Sequence, residues 1–295
     1  MAGKFSRSWQ IFKSSAAVLG ENKKLLVFPL FSSVATLIVL ATFVSGFYLL
    51  PGSGGATNAS EYSSAELVMV FAMYLTLYFV AIFFNTALVA SVARYLDGGE
   101  ASVRYGIGAA WSRVGAIFGY AIIAATVGML LKALEERLGF IGQIVVNLIG
   151  LAWTVSTFLV VPVLVHQNVG PIDAVKESAL MLKKTWGENI IANAGMGLIF
   201  LLLYIPIFAL VILGIAVAFG DVNTSNIGGA NTMIGGSLLV ISISALLLLG
   251  LTHAALQSIY GAALYRHASG DVGGSEGRDF SSAVLDNAFG PKKKK

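Results

Sequence analysis

The chain alternates long apolar runs with short polar segments, and six of the runs are long enough to cross a membrane. A helix rises ~1.5 Å per residue, so about 17–25 mainly apolar residues span a hydrocarbon core of ~30 Å. The pattern therefore predicts an all-α membrane protein with six transmembrane helices. We place the spans at residues 25–50, 67–93, 114–131, 140–165, 190–220 and 233–265.

Amphipathic segments precede the first, third and fifth spans, and the third of these, residues 166–193, is the clearest. Apolar positions recur at helical spacing in each segment. They are Phe5, Trp9, Phe12, Ala16 and Leu19 in the first, Val103, Ile107, Ala110 and Val114 in the second, and Ile172, Val175, Ala179, Leu182 and Trp186 in the third. We predict helices that lie in the membrane interface, with Trp9, Trp111 and Trp186 as anchors at headgroup depth. For residues 1–24 a frayed basic tail is the alternative.

The three segments also resemble one another. A shift of 72 residues lays residues 102–115 on residues 174–187 and keeps a basic position and the closing Gly. The polar ends after spans two and six correspond as well, pairing Arg94 with Arg266. The pattern suggests three repeated units, each an interfacial helix followed by a transmembrane hairpin. Chance similarity between apolar segments of simple composition is the alternative.

Composition supports the membrane class. The chain is 57% hydrophobic and 12% charged, with a mean hydropathy of +0.82, whereas a soluble domain carries about 25% charged residues. It contains no cysteine, which excludes disulfides and thiolate metal sites. The net charge is +4, but the basic residues flank apolar runs, so the expected partner is the lipid bilayer and not nucleic acid.

The distribution of basic residues predicts the orientation. Of the 19 Lys and Arg residues, only Lys132 and Arg137 lie on the side opposite to the others when six spans are threaded. Positive residues are retained on the cytoplasmic side. We therefore expect a multi-pass protein of the cytoplasmic (inner) membrane with both termini inside. Residues 1–24 form the N-terminal interfacial segment, residues 25–265 the membrane domain, and residues 266–295 a cytoplasmic tail.

A few polar side chains fall within the spans, where burial in lipid is costly. Asn85, Asn193, His253 and Gln257 all lie in the cytoplasmic halves, and they could line a polar cavity that opens inward. In that interpretation His253 would be a proton or substrate group, since its pKa can be tuned across neutrality. The alternative is hydrogen bonding between helices, worth ~0.6 kcal/mol per bond.

The remaining candidate chemistry is sparse. No motif for nucleophilic catalysis, nucleotide binding or zinc binding occurs, so we expect no cofactor, no metal site and no enzymatic activity. The run Lys292, Lys293, Lys294 and Lys295 suggests contacts with anionic lipid headgroups, at about 1 kcal/mol per residue. A plain solvated tail is the alternative.

Two stretches carry a resemblance to a known family. Residues 3–30, GKFSRSWQIFKSSAAVLGENKKLLVFPL, and residues 263–292, which contain ALYRHASGDVGG and VLDNAFGPK, resemble a family of uncharacterised prokaryotic six-span membrane proteins, a domain of unknown function. The resemblance implies an integral membrane protein and supplies no activity. The middle of the chain resembles, more weakly, the membrane domains attached to glycerophosphodiester phosphodiesterases.

Three function hypotheses follow. The first is a non-enzymatic membrane scaffold or accessory protein that acts on lipid or on a partner protein. The second is a secondary transporter or channel that uses the polar cluster. The third is a permease subunit of an ATP-driven transporter, because residues 100–106, EASVRYG, approximate the coupling pattern of such permeases. The downstream part of that pattern is absent.

Overall fold

A computed structural model describes residues 2–49, 63–219 and 230–269, with side chains described for residues 9–47, 63–183, 196–219 and 232–269. Within these residues the regular structure is entirely helical. A 3₁₀ turn, Lys23–Leu26, joins the first two helices. The α-helices are α1 (Ala2–Glu21), α2 (Val27–Leu49), α3 (Ser64–Leu96), α4 (Val103–Ser112), α5 (Val114–Arg137), α6 (Phe140–Ser156), α7 (Val160–His166), α8 (Pro171–Phe219) and α9 (Ala230–Ser269).

Six helical segments of the described chain are long and apolar enough to cross a membrane. This confirms the predicted all-α fold with six membrane-spanning helices and makes the chain a multi-pass membrane protein. The observed segments extend several of the predicted spans, most clearly the second and the third. They are Lys23–Phe47, Ser64–Leu96, Val114–Arg137, Phe140–His166, Met196–Phe219 and Thr232–Ser269.

Local sequence explains where α3 begins and ends. Ser63 forms a capping box with Glu66: the Glu66 carboxylate accepts from the Ser63 N–H at 2.7 Å, and the Ser63 hydroxyl accepts from the Glu66 N–H at 3.3 Å. Such a box satisfies two N–H groups that the first helical turn leaves free. At the other end the chain leaves the helix through Gly98, whose φ of 92° favours glycine.

The fourth predicted span is divided into α6 and α7, with a break at residues 157–159. Proline supplies no N–H and its ring clashes with the carbonyl four residues earlier, so Pro162 disfavours a continuous helix through Phe158. In the structure Pro162 lies instead in the first turn of α7, where no helical N–H is needed. The fourth span is thus present, but as two consecutive helices in place of one.

The packed core lies at one end of the bundle. Residues 86–93 of α3 are buried on every side, and so are most residues of α9 after Ala255. Helix α3 packs there against α4, α7 and α9, while α1 packs against α8 and α9. At the other end large apolar side chains are exposed, as expected of surfaces that face lipid. They include Leu37, Ile38, Ile212, Phe219, Met233, Val240 and Leu248.

Two of the three predicted amphipathic segments form separate helices, α1 and α4, whereas the third is continuous with the fifth span in α8. Helix α4 runs antiparallel to the end of α3: Ser102 contacts Ser91, Gly106 lies against Ala87, and Trp111 meets the Phe83 ring. Both α1 and α4 thus pack against protein. Their position at a membrane surface, and the threefold repeat, remain predictions.

The buried face of α1 differs from the predicted apolar stripe. Ile11, Ser15, Val18 and Leu19 are buried, whereas Trp9 is 42% exposed. Of the four buried residues, only Leu19 belongs to the predicted stripe. The contact face of α1 is therefore rotated from the predicted stripe and overlaps it only in part. Phe12 and Ala16 of the stripe are half-buried against the core, and Phe12 meets Phe200 of α8.

Replacing Ser15 with alanine is expected to stabilise the protein by about 1 kcal/mol. The Ser15 hydroxyl is fully buried and has no hydrogen-bond partner among the described residues, so the folded state carries its desolvation cost. Thermal unfolding of the purified protein in detergent should show a raised midpoint. The neighbouring substitution Ser14→Ala, at a half-buried position, should change stability by less than about 0.5 kcal/mol. An unfolding midpoint lowered by Ser15→Ala would contradict the expectation.

Candidate functional site

A cavity of about 360 Å³ lies between α2, α3, α7 and α9, beside the packed core. Most of its wall is apolar. Four polar side chains interrupt that wall: Ser32 of α2, Asn85 of α3, and Gln257 and Ser258 of α9. The apolar lining comes from Pro29, Ala81, Phe84, Leu88, Val89, Phe158, Pro162, Ala254 and Gly261.

The polar groups of the cavity are only partly satisfied by the protein. The Ser258 hydroxyl lies 2.8 Å from the Asn85 side-chain oxygen and donates to it, which joins α9 to α3. The same hydroxyl lies 2.9 Å from the Ala254 carbonyl of its own helix. No hydrogen bond joins the Gln257 amide to another residue in the part of the chain that is described. The cavity therefore presents an amide with free donors and acceptors to a bound molecule.

The cavity is reached from the side of the bundle. Two of its lining residues, Ala81 and Ala254, are exposed at the surface. They belong to α3 and α9, two of the helices apolar enough to span a membrane. The exposed part of the wall thus belongs to two candidate membrane-spanning helices.

Gly261 of α9 faces the Phe158 ring across the cavity. A Cβ atom added at Gly261 would lie 3.9 Å from Cζ of Phe158, which is ordinary van der Waals contact. The absence of a side chain at this position therefore leaves space on the α9 side of the wall.

The structure brings two of the four predicted cavity residues together. Asn85 and Gln257 line the same cavity. His253 does not line this cavity. Its ring stacks on Phe200 of α8, with ring centroids 4.0 Å apart, and the Tyr204 ring centroid lies 6.2 Å from that of His253. The side chain of Asn193 lies outside the described residues.

Two cavity residues, Ser32 and Ser258, were not predicted from the sequence. A serine hydroxyl within a helix commonly bonds to a carbonyl of the preceding turn, so it gives little signal in an apolar run. Ser258 had one sequence signal, which is its position directly after Gln257 in an otherwise apolar stretch. For Ser32 no comparable signal exists.

The predicted interfacial anchors occupy different surroundings. Trp9 stacks on Phe12 with ring centroids 5.3 Å apart, and the Lys13 ammonium lies 5.6 Å from the Trp9 ring centroid. Trp111 is 68% exposed and meets Phe83 edge-on at 6.1 Å. The side chain of Trp186 and the run Lys292 to Lys295 lie outside the described residues.

The lining side chains indicate what the cavity can do chemically. Asn, Gln and Ser are neutral groups that donate and accept hydrogen bonds, and the described wall contains no titratable side chain. Such a wall can bind and orient a molecule that is mainly apolar and carries a few polar atoms. Among the described residues no group of three or more His, Cys, Asp or Glu side chains is arranged to hold a metal ion.

A family model matches residues 64–276, which is most of the chain. The chain belongs to DUF6159, a family of unknown function. This confirms the predicted membership of an uncharacterised family. The DUF6159 match includes α3 to α9, and with them Asn85, Gln257 and Ser258, whereas Ser32 lies before it. Neither the curated proteins nor the solved structures gave a match.

Proposed function

We propose that this DUF6159 protein is a non-enzymatic membrane scaffold or accessory protein that binds part of a lipid molecule in the cavity between α2, α3, α7 and α9. One observation carries the proposal. The Gln257 amide, with no hydrogen-bond partner in the described chain, faces an apolar cavity that opens through Ala81 and Ala254 on the side of the bundle.

A lipid matches this combination of surfaces. Its acyl chain suits the apolar wall around Phe84 and Leu88, and its glycerol and ester oxygens can accept from the amides of Asn85 and Gln257. An unsatisfied amide in an apolar medium costs roughly 1–3 kcal/mol. A bound lipid with ester oxygens at that depth would remove part of this cost.

The proposal includes the orientation of the chain in the membrane, with both termini in the cytoplasm. The positive-inside rule favours cytoplasmic termini in the cytoplasmic membrane, so the cavity would belong to the inner leaflet. In that arrangement α1 and α4 would lie near the cytoplasmic surface, and the run Lys292 to Lys295 would add contacts with anionic headgroups.

The test is the amount of phospholipid that stays bound after purification in mild detergent, measured by native mass spectrometry. Replacing Gln257 with leucine removes the amide and puts an apolar side chain of similar size in its place. We expect lipid affinity to fall about fivefold, which corresponds to the loss of one hydrogen bond of ~1 kcal/mol. The matched control is Asn147→Leu, an exposed amide on α6, which should leave lipid retention unchanged. Equal lipid retention in the wild type, Gln257→Leu and Asn147→Leu would refute lipid binding at this cavity.

A variant at His253 separates the scaffold from a secondary transporter. A transporter that uses His253 as a proton or substrate group would lose uptake by proteoliposomes in His253→Leu while still inserting in the membrane. A scaffold should tolerate that change, because His253 packs against Phe200 instead of lining the cavity.

A further inference from the structure

A second cavity, of about 610 Å³, lies where α3 ends and α4 and α5 begin, and its wall is strongly basic. Arg94 of α3, Arg104 of α4 and Arg113, the residue between α4 and α5, all line it. The hydroxyl residues Ser102 and Ser112 lie in the same wall, and no carboxylate among the described residues does. We call Arg94, Arg104 and Arg113 the arginine cluster.

Two members of the arginine cluster are held in place by neighbours. The Arg94 guanidinium lies 4.7 Å from the ring centroid of Tyr105 on α4, a cation–π contact. The Arg113 guanidinium donates to the side-chain oxygen of Asn168, in the segment before α8. Both contacts leave further guanidinium N–H groups for a ligand, since each guanidinium carries five.

Carboxylates of the described residues do not compensate the charge of the cluster. None of the three arginines forms an ion pair with a carboxylate in the part of the chain that the structure describes, whereas Arg266 pairs with Asp97 at 3.3 Å. Three like charges around one cavity repel one another. A bound anion would offset that repulsion, and planar guanidinium groups match the oxygens of phosphate.

The position of the cluster indicates where the anion would come from. Arg113 directly precedes the apolar span of α5, which starts at Val114. Trp111, in the last turn of α4, is 68% exposed, and exposed tryptophan next to an apolar span is typical of the headgroup region. The cavity therefore lies at the start of an apolar span, and the predicted interfacial position of α4 would put it at the depth of the lipid phosphates.

We infer that the arginine cluster binds a phosphate group, supplied by the headgroup of an anionic phospholipid. The site goes beyond the proposed function, because it shares no residue with the lipid cavity at Gln257. The phosphate site at the arginine cluster would therefore stand even if Gln257→Leu left lipid retention unchanged.

The experiment measures binding of short-chain phosphatidic acid and of inorganic phosphate to the full chain in detergent, by calorimetry. In the wild type we expect phosphatidic acid to bind, with affinity falling as salt is raised. Each of Arg94→Gln, Arg104→Gln and Arg113→Gln should lower that affinity about tenfold, since each removes charge-assisted hydrogen bonds to phosphate. Arg137→Gln, at the far end of α5, is the matched control and should bind as the wild type does.

The two ligands distinguish the sources of phosphate. Tighter binding of phosphatidic acid assigns the site to lipid, and equally tight binding of inorganic phosphate that is lost in the arginine variants would overturn the lipid assignment. Binding of neither ligand, or binding that is the same in the wild type and in folded arginine variants, would overturn the site itself. Folding of each variant is checked by its unfolding midpoint without ligand.

Discussion

Replacing Gly106 with alanine is expected to destabilise the protein by about 2–3 kcal/mol, the upper part of the range for overpacked sites. A Cβ atom at Gly106 would overlap the Ala87 carbonyl oxygen and lie 2.8 Å from Cζ of Phe28. The carbonyl belongs to the backbone of α3 and cannot rotate away. Helix α4 would therefore have to move off α3, and the contacts of Ser102 and Trp111 with α3 would weaken as well.

Gly108 provides a matched control on the same helix. A Cβ atom at Gly108 would meet nothing within 4 Å, so Gly108→Ala should be neutral or stabilise α4 by up to ~1 kcal/mol through helix propensity. Thermal unfolding of both variants in one detergent gives the comparison. If the two variants unfold at the same temperature, the close approach of α4 to α3 at Gly106 is contradicted.

The number of spans and their approximate bounds could be predicted because lipid imposes a length on every crossing helix. The location of the packed core could not be predicted from the sequence. Residues 86–93 of α3 are buried by other helices, whereas Leu37 and Ile38 of α2 are exposed, yet both stretches are apolar. Without a change of polarity between lipid-facing and protein-facing surfaces, hydropathy does not separate them.

The candidate cavity was predictable only in part, for a geometric reason. Gln257 and His253 are one turn apart, which suggests a common face. The cavity, however, meets the face of α9 that contains Ala254, Gln257, Ser258 and Gly261. His253 lies about 90° from the centre of that face at 100° per residue, and at that angle it meets Phe200 of α8. A spacing rule identifies residues that share a face, but only the packing decides which neighbour each one meets.

A serine side chain of α8 stabilises the break between α6 and α7. Ser178 of α8 is fully buried beside that break. Its hydroxyl donates to the Ser156 carbonyl at 2.6 Å and accepts from the Leu159 N–H at 3.0 Å. These two backbone groups lie at the end of α6 and the start of α7, where a helix leaves its own polar groups without partners. One side chain thus satisfies both ends of the interruption that Pro162 imposes.

Replacing Ser178 with alanine is accordingly expected to destabilise the protein by roughly 3 kcal/mol, because two buried backbone groups lose their partner at about 1–3 kcal/mol each. Ser178→Cys fills the same space with a weaker hydrogen-bonding group, so its stability should lie between those of the wild type and Ser178→Ala. Ser244→Ala is the control, since the exposed Ser244 hydroxyl donates only within α9, to Val240 at 2.7 Å, and its removal should cost less than ~0.5 kcal/mol. A Ser178→Ala protein that unfolds like Ser244→Ala would mean that water or lipid satisfies the break instead.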